Sequence, residues 1–231
     1  MNSSRPITTI LFDAGGTLVH TDLRFIHKLL RQAGITATLQ VIRRAECASK
    51  QAIDRRMEAA AVDTDETRRH PYFAAMLEHL GIGQDQAAHL LRRIEAEHQH
   101  ANLWRLMRPS TPQILQELRS RGLVLGVVSN SDGRIRSVLA QCGITDFFQV
   151  VIDSHDVGME KPDPRIFQFA LDTTKARPEQ TVYVGDIYSI DVVGAERVGM
   201  EPVLLDGVGS YAAGLPCRTI KHLRSLLSLV S

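Results

Sequence analysis

The stretch ILFDAGGTL at residues 10–18 decides the fold, because an apolar run ends there in a carboxylate and a glycine turn. A short apolar run bounded by Gly-Gly-Thr predicts a buried strand followed by a tight turn. At the carboxyl edge of a parallel sheet, glycine lets the backbone approach a ligand closely. The stretch therefore predicts a nucleophilic carboxylate at Asp13, beside a phosphate or a metal ion.

Downstream of Pro109 the sequence alternates between helical and strand patterns. Short, continuously apolar strands joined by helices are typical of a doubly wound parallel sheet, so the predicted fold class is α/β. The predicted strands are 123–128, 148–152, 181–184 and 202–205. The predicted helices are 111–121, 134–141, 163–173, 191–198 and 220–230.

Between the first strand and this alternating region, residues 22–106 show apolar positions at helical spacing and no strand pattern. A helical block inserted directly after the first strand lies beside the edge of the sheet where ligands bind. We therefore interpret residues 19–106 as an α-helical cap domain, and residues 1–18 and 107–231 as the core. A purely structural helical subdomain is the alternative.

The composition argues against several classes of partner. The 231 residues carry 27 Lys and Arg against 26 Asp and Glu, and this balance predicts neither nucleic-acid nor membrane binding. Three widely spaced cysteines predict reduced thiols, and no apolar segment is long enough for a signal peptide or a bilayer span. The expectation is a cytoplasmic monomer or homodimer.

Five further polar residues follow predicted strands. Because parallel strands all point the same way, their carboxyl-end loops converge on one crevice with Asp13. Carboxylates, hydroxyls and an ammonium suit phosphoryl transfer, in which a carboxylate attacks phosphorus and an oxygen-rich cluster holds Mg²⁺. The residues are Ser129-Asn130 after the second strand, Lys161 after the third, Asp186 after the fourth, and Asp191 five positions later.

Together these segments resemble the haloacid dehalogenase superfamily, most of whose members are magnesium-dependent phosphatases. The resemblance implies a Rossmann-like core with a helical cap, a small phosphorylated substrate and Mg²⁺ as cofactor. It makes Asp13 the nucleophile and a metal ligand, and Asp186 and Asp191 the acidic metal pair. The remaining protein ligand in this family is a backbone carbonyl, which Gly15 supplies here.

The same resemblance assigns the phosphate-binding residues. Thr17 and Ser129 correspond to the family's phosphate-binding hydroxyls, and Asn130 adjoins Ser129 in the phosphate-binding loop. Lys161 corresponds to the ammonium that links the nucleophile and the phosphoryl group. The catalytic set implied by the resemblance is therefore Asp13, Ser129 and Lys161.

One position departs from the pattern of these phosphatases. The residue two after the nucleophile is usually a second Asp that acts as general acid and base, and here it is Gly15. A general acid typically contributes about 10²–10⁴-fold in rate. A phosphatase without it is expected to be slow on alkyl phosphates and faster on aryl or acyl phosphates. His20 is a candidate replacement, and an exposed turn histidine is the simpler interpretation.

Three alternatives remain open. Haloacid dehalogenases also lack the second Asp but use no metal, against which the Asp186 and Asp191 pair argues. Phosphonate-cleaving relatives carry Ala at this position and use a cap lysine, for which Lys50 is the nearest candidate, although a solvated helix lysine is the simpler interpretation. A non-catalytic phosphate-binding module is the third, and the retained nucleophile at Asp13 argues against it.

Substrate identity is expected to depend on the cap. Five side chains there are candidates for the crevice, and for each of them a surface position is the simpler expectation. They are Arg24, His27, Arg43, Arg44 and Tyr72.

Overall fold

A computed structural model of the chain describes residues 6–58, 65–211 and 214–230. The chain divides into two compact units. The sheet unit runs to His20 and resumes at Leu106, and the helical unit is Thr21–Arg105. Each unit is described separately.

The described residues contain eight strands, which are β1 (Thr9–Phe12), β2 (Val19–Thr21), β3 (Trp104–Met107), β4 (Val124–Ser129), β5 (Val150–Asp153), β6 (Thr181–Gly185), β7 (Glu201–Leu205) and β8 (Arg218–Ile220). The α-helices are α1 (Leu23–Gln32), α2 (Leu39–Glu58), α3 (Asp65–His79), α4 (Gln84–His100), α5 (Thr111–Ser120), α6 (Ile135–Gln141), α7 (Ser154–Val157), α8 (Pro164–Thr174), α9 (Val193–Glu196) and α10 (Leu226–Leu229). Short 3₁₀ segments lie at Thr145–Phe147, Pro178–Gln180 and Leu223–Ser225, and a π-helical turn at Tyr188–Val192.

Six of the strands form one sheet in the order β5-β4-β1-β6-β7-β8, and every neighbouring pair is parallel. The chain passes from β1 to β4 and β5 on one side and then crosses to β6, β7 and β8 on the other. This is the predicted doubly wound α/β fold, and β1 lies at its switch point.

The central strands are buried because both faces of the sheet are covered. All residues of β1 and β6 are buried, as their continuously apolar sequences predict. Gly126 lies opposite Leu11 in the ladder, and a Cβ on it would stand 2.7 Å from Leu11 Cδ2. A glycine in the middle of β4 thus makes room for the side chain of its neighbour.

The C-terminal segment differs from the prediction. We predicted a helix over 220–230, but Ile220 ends β8, which pairs with β7, and only Leu226–Leu229 is α-helical. The apolar residues at Ile220, Leu223 and Leu226 have helical spacing. Pairing with the open edge of β7 overrides that local pattern, because it satisfies backbone groups that would otherwise remain unpaired at the edge.

The helical unit confirms four predicted helices. The carboxylate of Asp22 caps α1 by accepting hydrogen bonds from the backbone N–H groups of Arg24 and Phe25 at 3.2 and 3.1 Å. Helices α2 and α3 carry buried apolar residues that include Ile42 and Phe73. None of the helices within the described residues is both long enough and apolar enough to cross a bilayer.

The expectation that residues 22–106 contain no strand is wrong at its end. Trp104 begins β3, which forms a two-stranded sheet with β2. Each of these strands has only three or four residues, which is too short for alternation to stand out in the sequence. The pair lies where the chain leaves the sheet unit and returns to it.

Candidate active site

The predicted site residues lie at the carboxyl ends of three adjacent strands of the sheet unit. Asp13 directly follows β1, Ser129 ends β4, and Asp186 directly follows β6. Strand β1 is flanked by β4 and β6, so the three residues meet at the switch point. Open α/β sheets bind their ligands at this position.

The turn after β1 presents the carboxylate of Asp13. The backbone N–H groups of Leu18 and Val19 both donate to the carbonyl of Ala14 at 2.9 Å, which closes the turn tightly. Gly16 has a φ of +88°, a conformation that L side chains rarely adopt. The Gly-Gly-Thr sequence therefore forms the turn that it predicted.

Lys161 lies at the centre of the site. Its Nζ donates to Asp13 Oδ1 at 2.7 Å and to Asp191 Oδ1 at 2.7 Å, and its side chain is 2% exposed. These residues are 148 and 30 positions away in sequence. The fold thus joins the predicted nucleophile, the predicted ammonium and one predicted metal ligand in a buried ion cluster.

Asn130 fixes the backbone of Lys161. Its Oδ1 accepts from the Lys161 N–H at 2.8 Å, and its Nδ2 donates to the Lys161 carbonyl at 2.9 Å. Both ends of the amide are therefore engaged by protein backbone. A role of Asn130 in phosphate binding stays a prediction.

Asp191 links the metal loop to Lys161. Its Oδ2 accepts hydrogen bonds from the backbone N–H groups of Asp186 and Ile187, each at 3.0 Å. A Cβ on residue 185 would lie 2.2 Å from Asp191 Cγ, so only Gly185 admits this carboxylate. The predicted helix 191–198 accordingly begins as the π-helical turn Tyr188–Val192 and becomes α-helical at Val193.

The charges in this cluster do not balance. Three buried carboxylates, of Asp13, Asp186 and Asp191, face one ammonium, of Lys161. Burial, together with the charges of Asp191 and Asp186, raises the pKa of Asp13 to about 7 against the opposing effect of Lys161. Burial disfavours the charge on Lys161, but the Asp13 and Asp191 carboxylates outweigh it and hold the lysine pKa well above its usual range.

This donor set fits a hard divalent cation. Carboxylate oxygens of Asp13, Asp186 and Asp191 lie within 4.8 Å of one another. Asp13 Oδ2 is buried and has no hydrogen-bond partner among the residues that the structure describes. An all-oxygen cluster with excess negative charge is the kind of site that Mg²⁺ prefers. The metal role of these residues and of the Gly15 carbonyl stays a prediction that this chemistry supports.

The two predicted phosphate-binding hydroxyls are buried in the sheet unit. Thr17 Oγ1 has no hydrogen-bond partner within the described part of the chain. Within residues 6–58, 65–211 and 214–230, the hydrogen bond of Ser129 Oγ is a long one of 3.4 Å, donated to the carbonyl of its neighbour Asn130. Buried hydroxyls are normally hydrogen-bonded, so both side chains retain capacity to bind a ligand.

Sequence reasoning missed Tyr183, which lies on β6 beneath Lys161. Its hydroxyl is 3.0 Å from Lys161 Nζ and donates to the Val128 carbonyl at 3.1 Å. A tyrosine within an apolar, fully buried strand was the available signal, because its polar end needs a partner there.

Most of the other candidate residues belong to the helical unit. The expectation of a surface position is wrong for Tyr72, which is 7% exposed and packs against Trp104 inside the helical unit. Arg24, Arg43 and Arg44 are exposed, as expected, whereas His27 and Lys50 are half-buried. In the sheet unit, His20 Nε2 accepts a hydrogen bond from Arg108 Nε at 3.2 Å.

The chain is similar in sequence to proteins of known family. Haloacid dehalogenase-like hydrolase domain-containing protein 3 from Homo sapiens is 36% identical over 128 residues, which is 55% of this chain and 51% of that protein. The chain thus spans about half the length of this relative. A glyceraldehyde 3-phosphate phosphatase from Methanopyrus kandleri is 33% identical over 176 residues, 69% of this chain and 75% of that protein.

A solved structure shows the same fold. The HAD phosphatase from Thermococcus onnurineus superposes with a TM-score of 0.62 at 26% identity, covering 97% of this chain and 98% of that one. The family model for haloacid dehalogenase-like hydrolases matches residues 7–199. That match covers most of the chain and includes every residue from Asp13 to Asp191. The protein therefore belongs to the haloacid dehalogenase-like hydrolase family.

Proposed function

We propose that this chain is a magnesium-dependent phosphatase that hydrolyses a small phosphorylated metabolite through an aspartyl phosphate at Asp13. The observation that carries the proposal is the state of the Asp13 carboxylate. One oxygen accepts from Lys161 Nζ at 2.7 Å, and the other is buried in the acidic cluster with no hydrogen-bond partner in the described segments of the chain. The archaeal relative, named a glyceraldehyde 3-phosphate phosphatase, supports a small phosphate ester as the substrate class.

In the first step the Asp13 carboxylate attacks phosphorus. The new bond joins Asp13 to the phosphoryl group, while the ester P–O bond breaks and its electron pair leaves with the substrate oxygen. The Lys161 ammonium opposes the negative charge on the phosphoryl oxygens, and the hydroxyls of Thr17 and Ser129 donate hydrogen bonds to them. Asp13, Asp186, Asp191 and the Gly15 carbonyl would hold Mg²⁺, which would supply further positive charge at the phosphoryl oxygens.

In the second step water attacks the phosphorus of the aspartyl phosphate. The bond between phosphorus and the Asp13 oxygen breaks, inorganic phosphate leaves, and the carboxylate is restored. The fixed position of Asp13 matters in the first step, because a preorganised nucleophile loses no further freedom on reaction.

Gly15 determines which substrates react well. It has no side chain that could protonate a departing alkoxide, so leaving groups that need no proton are favoured. Aryl and acyl phosphates are therefore better substrates than alkyl phosphates in this proposal.

We assign the helical residues 19–106 as a cap that selects the substrate. Their insertion directly after the turn that carries Asp13 supports this role, since insertions at the ligand-binding edge of an α/β sheet commonly control access to the site.

Hydrolysis of an aryl and an acyl phosphate, with Mg²⁺ and with chelator, tests the proposal. We expect turnover that requires Mg²⁺ and disappears in Asp13→Asn, while Asp156→Asn, an exposed aspartate of the same unit, stays active. A folded and fully active Asp13→Asn protein would refute the mechanism. Absence of turnover in the wild type, together with binding of orthovanadate, would favour a phosphate-binding module. Trapping of a lysine by borohydride in the presence of a phosphonate would favour the phosphonate-cleaving alternative.

A further inference from the structure

Tyr183 is a buried tyrosine whose hydroxyl lies within hydrogen-bond distance of two acceptors, the Val128 carbonyl at 3.1 Å and Asp191 Oδ1 at 3.4 Å. It lies on β6, is 0% exposed, and its hydroxyl is 3.1 Å from the Val128 carbonyl on β4. The hydroxyl hydrogen is assigned to the Val128 carbonyl, because that acceptor is nearer and Asp191 Oδ1 already accepts from Lys161 Nζ at 2.7 Å. The lone pairs of the hydroxyl oxygen can then accept a hydrogen bond from another donor.

Lys161 is the donor to the Tyr183 hydroxyl oxygen. Its Nζ is 3.0 Å from the Tyr183 hydroxyl oxygen and 2.7 Å from a carboxylate oxygen of both Asp13 and Asp191. An ammonium has three hydrogens and no lone pair. Each hydrogen therefore has one acceptor, of which two are charged and one is neutral.

The neutral acceptor sets the direction of the ammonium. Lysine has a flexible four-carbon side chain, and two carboxylates alone would leave its third hydrogen without a defined partner. Tyr183 is itself held by its bond to Val128 and by an edge-to-face contact with Phe167 at 5.0 Å between ring centroids. A fixed hydroxyl thus places Nζ at one point between the nucleophile and the metal loop.

We propose that Tyr183 is a positioning residue for Lys161, acting through the hydrogen bond between its hydroxyl oxygen and Nζ. The proposal rests on the proposed phosphatase function, in which the Lys161 ammonium opposes the negative charge on the phosphoryl oxygens. Tyr183 holds that ammonium in position. It assigns to Tyr183 no contact with the substrate.

Tyr183→Phe tests the hydroxyl while keeping the ring that packs on Phe167. We expect kcat on an aryl phosphate to fall about tenfold to a hundredfold, with KM changed less than about twofold, because the lost bond matters most where charge develops. Tyr183→Met, which removes ring and hydroxyl together, is expected to show a similar loss of kcat. Ile114→Val, a buried change on α5, is the control for mild destabilisation and is expected to keep wild-type kcat.

A binding cycle separates positioning from a general structural effect. Binding of orthovanadate in the presence of Mg²⁺ is measured calorimetrically in four proteins, which are the wild type, Tyr183→Phe, Lys161→Met and the double variant. If Tyr183 acts through Lys161, its substitution weakens binding about tenfold in the wild type and has no further effect once Lys161 is replaced. A structural role would give the same loss in both backgrounds.

Two results would overturn the proposal, namely wild-type kcat in Tyr183→Phe, or equal effects of that substitution with and without Lys161. Failure of the proposed function has a different signature, which is absence of Mg²⁺-dependent turnover in the wild-type protein itself. The two failures are therefore distinguished within the same set of proteins.

Discussion

Gly16 and Asp186 pack so closely that a Cβ on Gly16 would lie 2.0 Å from Asp186 Oδ2. The turn that presents Asp13 and the loop that carries a predicted metal ligand therefore fit against each other at this glycine. Gly16 also has a φ of +88°, so both its backbone conformation and its neighbour exclude a side chain.

Gly16→Ala is expected to disrupt the site beyond its cost in backbone strain. An alanine at positive φ costs about 1–2 kcal/mol by itself. Gly122→Ala is the matched control, because Gly122 has a φ of +81° and no atom within 4 Å of its Cβ position. Urea unfolding should show a larger loss for Gly16→Ala, and calorimetry should show weakened Mg²⁺ binding in that variant alone. Equal stability and Mg²⁺ affinity in the two variants would contradict the close fit.

Magnesium is expected to stabilise the folded protein, because the cation would neutralise the excess charge of the buried carboxylates. A ligand at a hundredfold excess over its Kd adds about 2.7 kcal/mol to the free energy of unfolding. Thermal unfolding with Mg²⁺ and with chelator measures this difference. Asp186→Asn should reduce it strongly, whereas Asp156→Asn, whose side chain is 68% exposed, should leave it unchanged. The same Mg²⁺ response in both variants would show that Asp186 is not a metal ligand.

Gly15→Asp is expected to raise turnover of alkyl phosphates, since it restores a carboxyl group that can protonate the leaving oxygen. The gain is at most about 10²–10⁴-fold, and aryl phosphates should gain less because their leaving groups need less help. Gly15→Asn is the matched control, because the asparagine side chain has a shape similar to that of aspartate but no acidic proton to donate. The ratio of alkyl to aryl phosphate kcat/KM measures the effect. A similar gain in the Asn variant, or none in an Asp variant that still binds Mg²⁺, would show that proton donation is not the missing element.

Asp206 is expected to stabilise the loop after β7 in a pH-dependent way. Burial acts to raise the pKa of Asp206, but hydrogen bonds from the backbone N–H groups of Tyr211 and Ser210 outweigh it and lower that pKa below 3.8. The folded pKa is thus below the unfolded one, so the stabilisation is complete well above pH 3.8 and is lost as pH falls through the folded pKa. Asp206→Asn should cost about 1–2 kcal/mol at neutral pH and progressively less in acid.

Urea unfolding of both proteins at a series of pH values checks this expectation, with the exposed Asp146→Asn as control. A constant difference across the acid range would contradict it. The loop also carries Tyr211, whose hydroxyl accepts from the Tyr188 N–H at 3.2 Å beside Asp186. The Asp206 variant is therefore also expected to bind Mg²⁺ somewhat more weakly.

Local sequence predicted much of the sheet unit, because its signals are strong and short-ranged. The apolar strands and the glycine turn after Asp13 both depend on neighbouring residues. Where the sequence had no strong local pattern, tertiary pairing decided. Strand β8 formed against β7 despite helical spacing, and β2 with β3 despite their short length.

Sequence by itself determined which chemical groups this protein places at its strand ends, and in what order. The apolar runs define the parallel strands, and parallel strands bring their carboxyl ends to one edge. Only the tertiary structure decided how those groups contact one another. Asn130 binds the backbone of Lys161, and Tyr183 contacts its ammonium, across 31 and 22 positions of sequence. Contacts of this kind depend on packing between strands and loops, which no local pattern encodes.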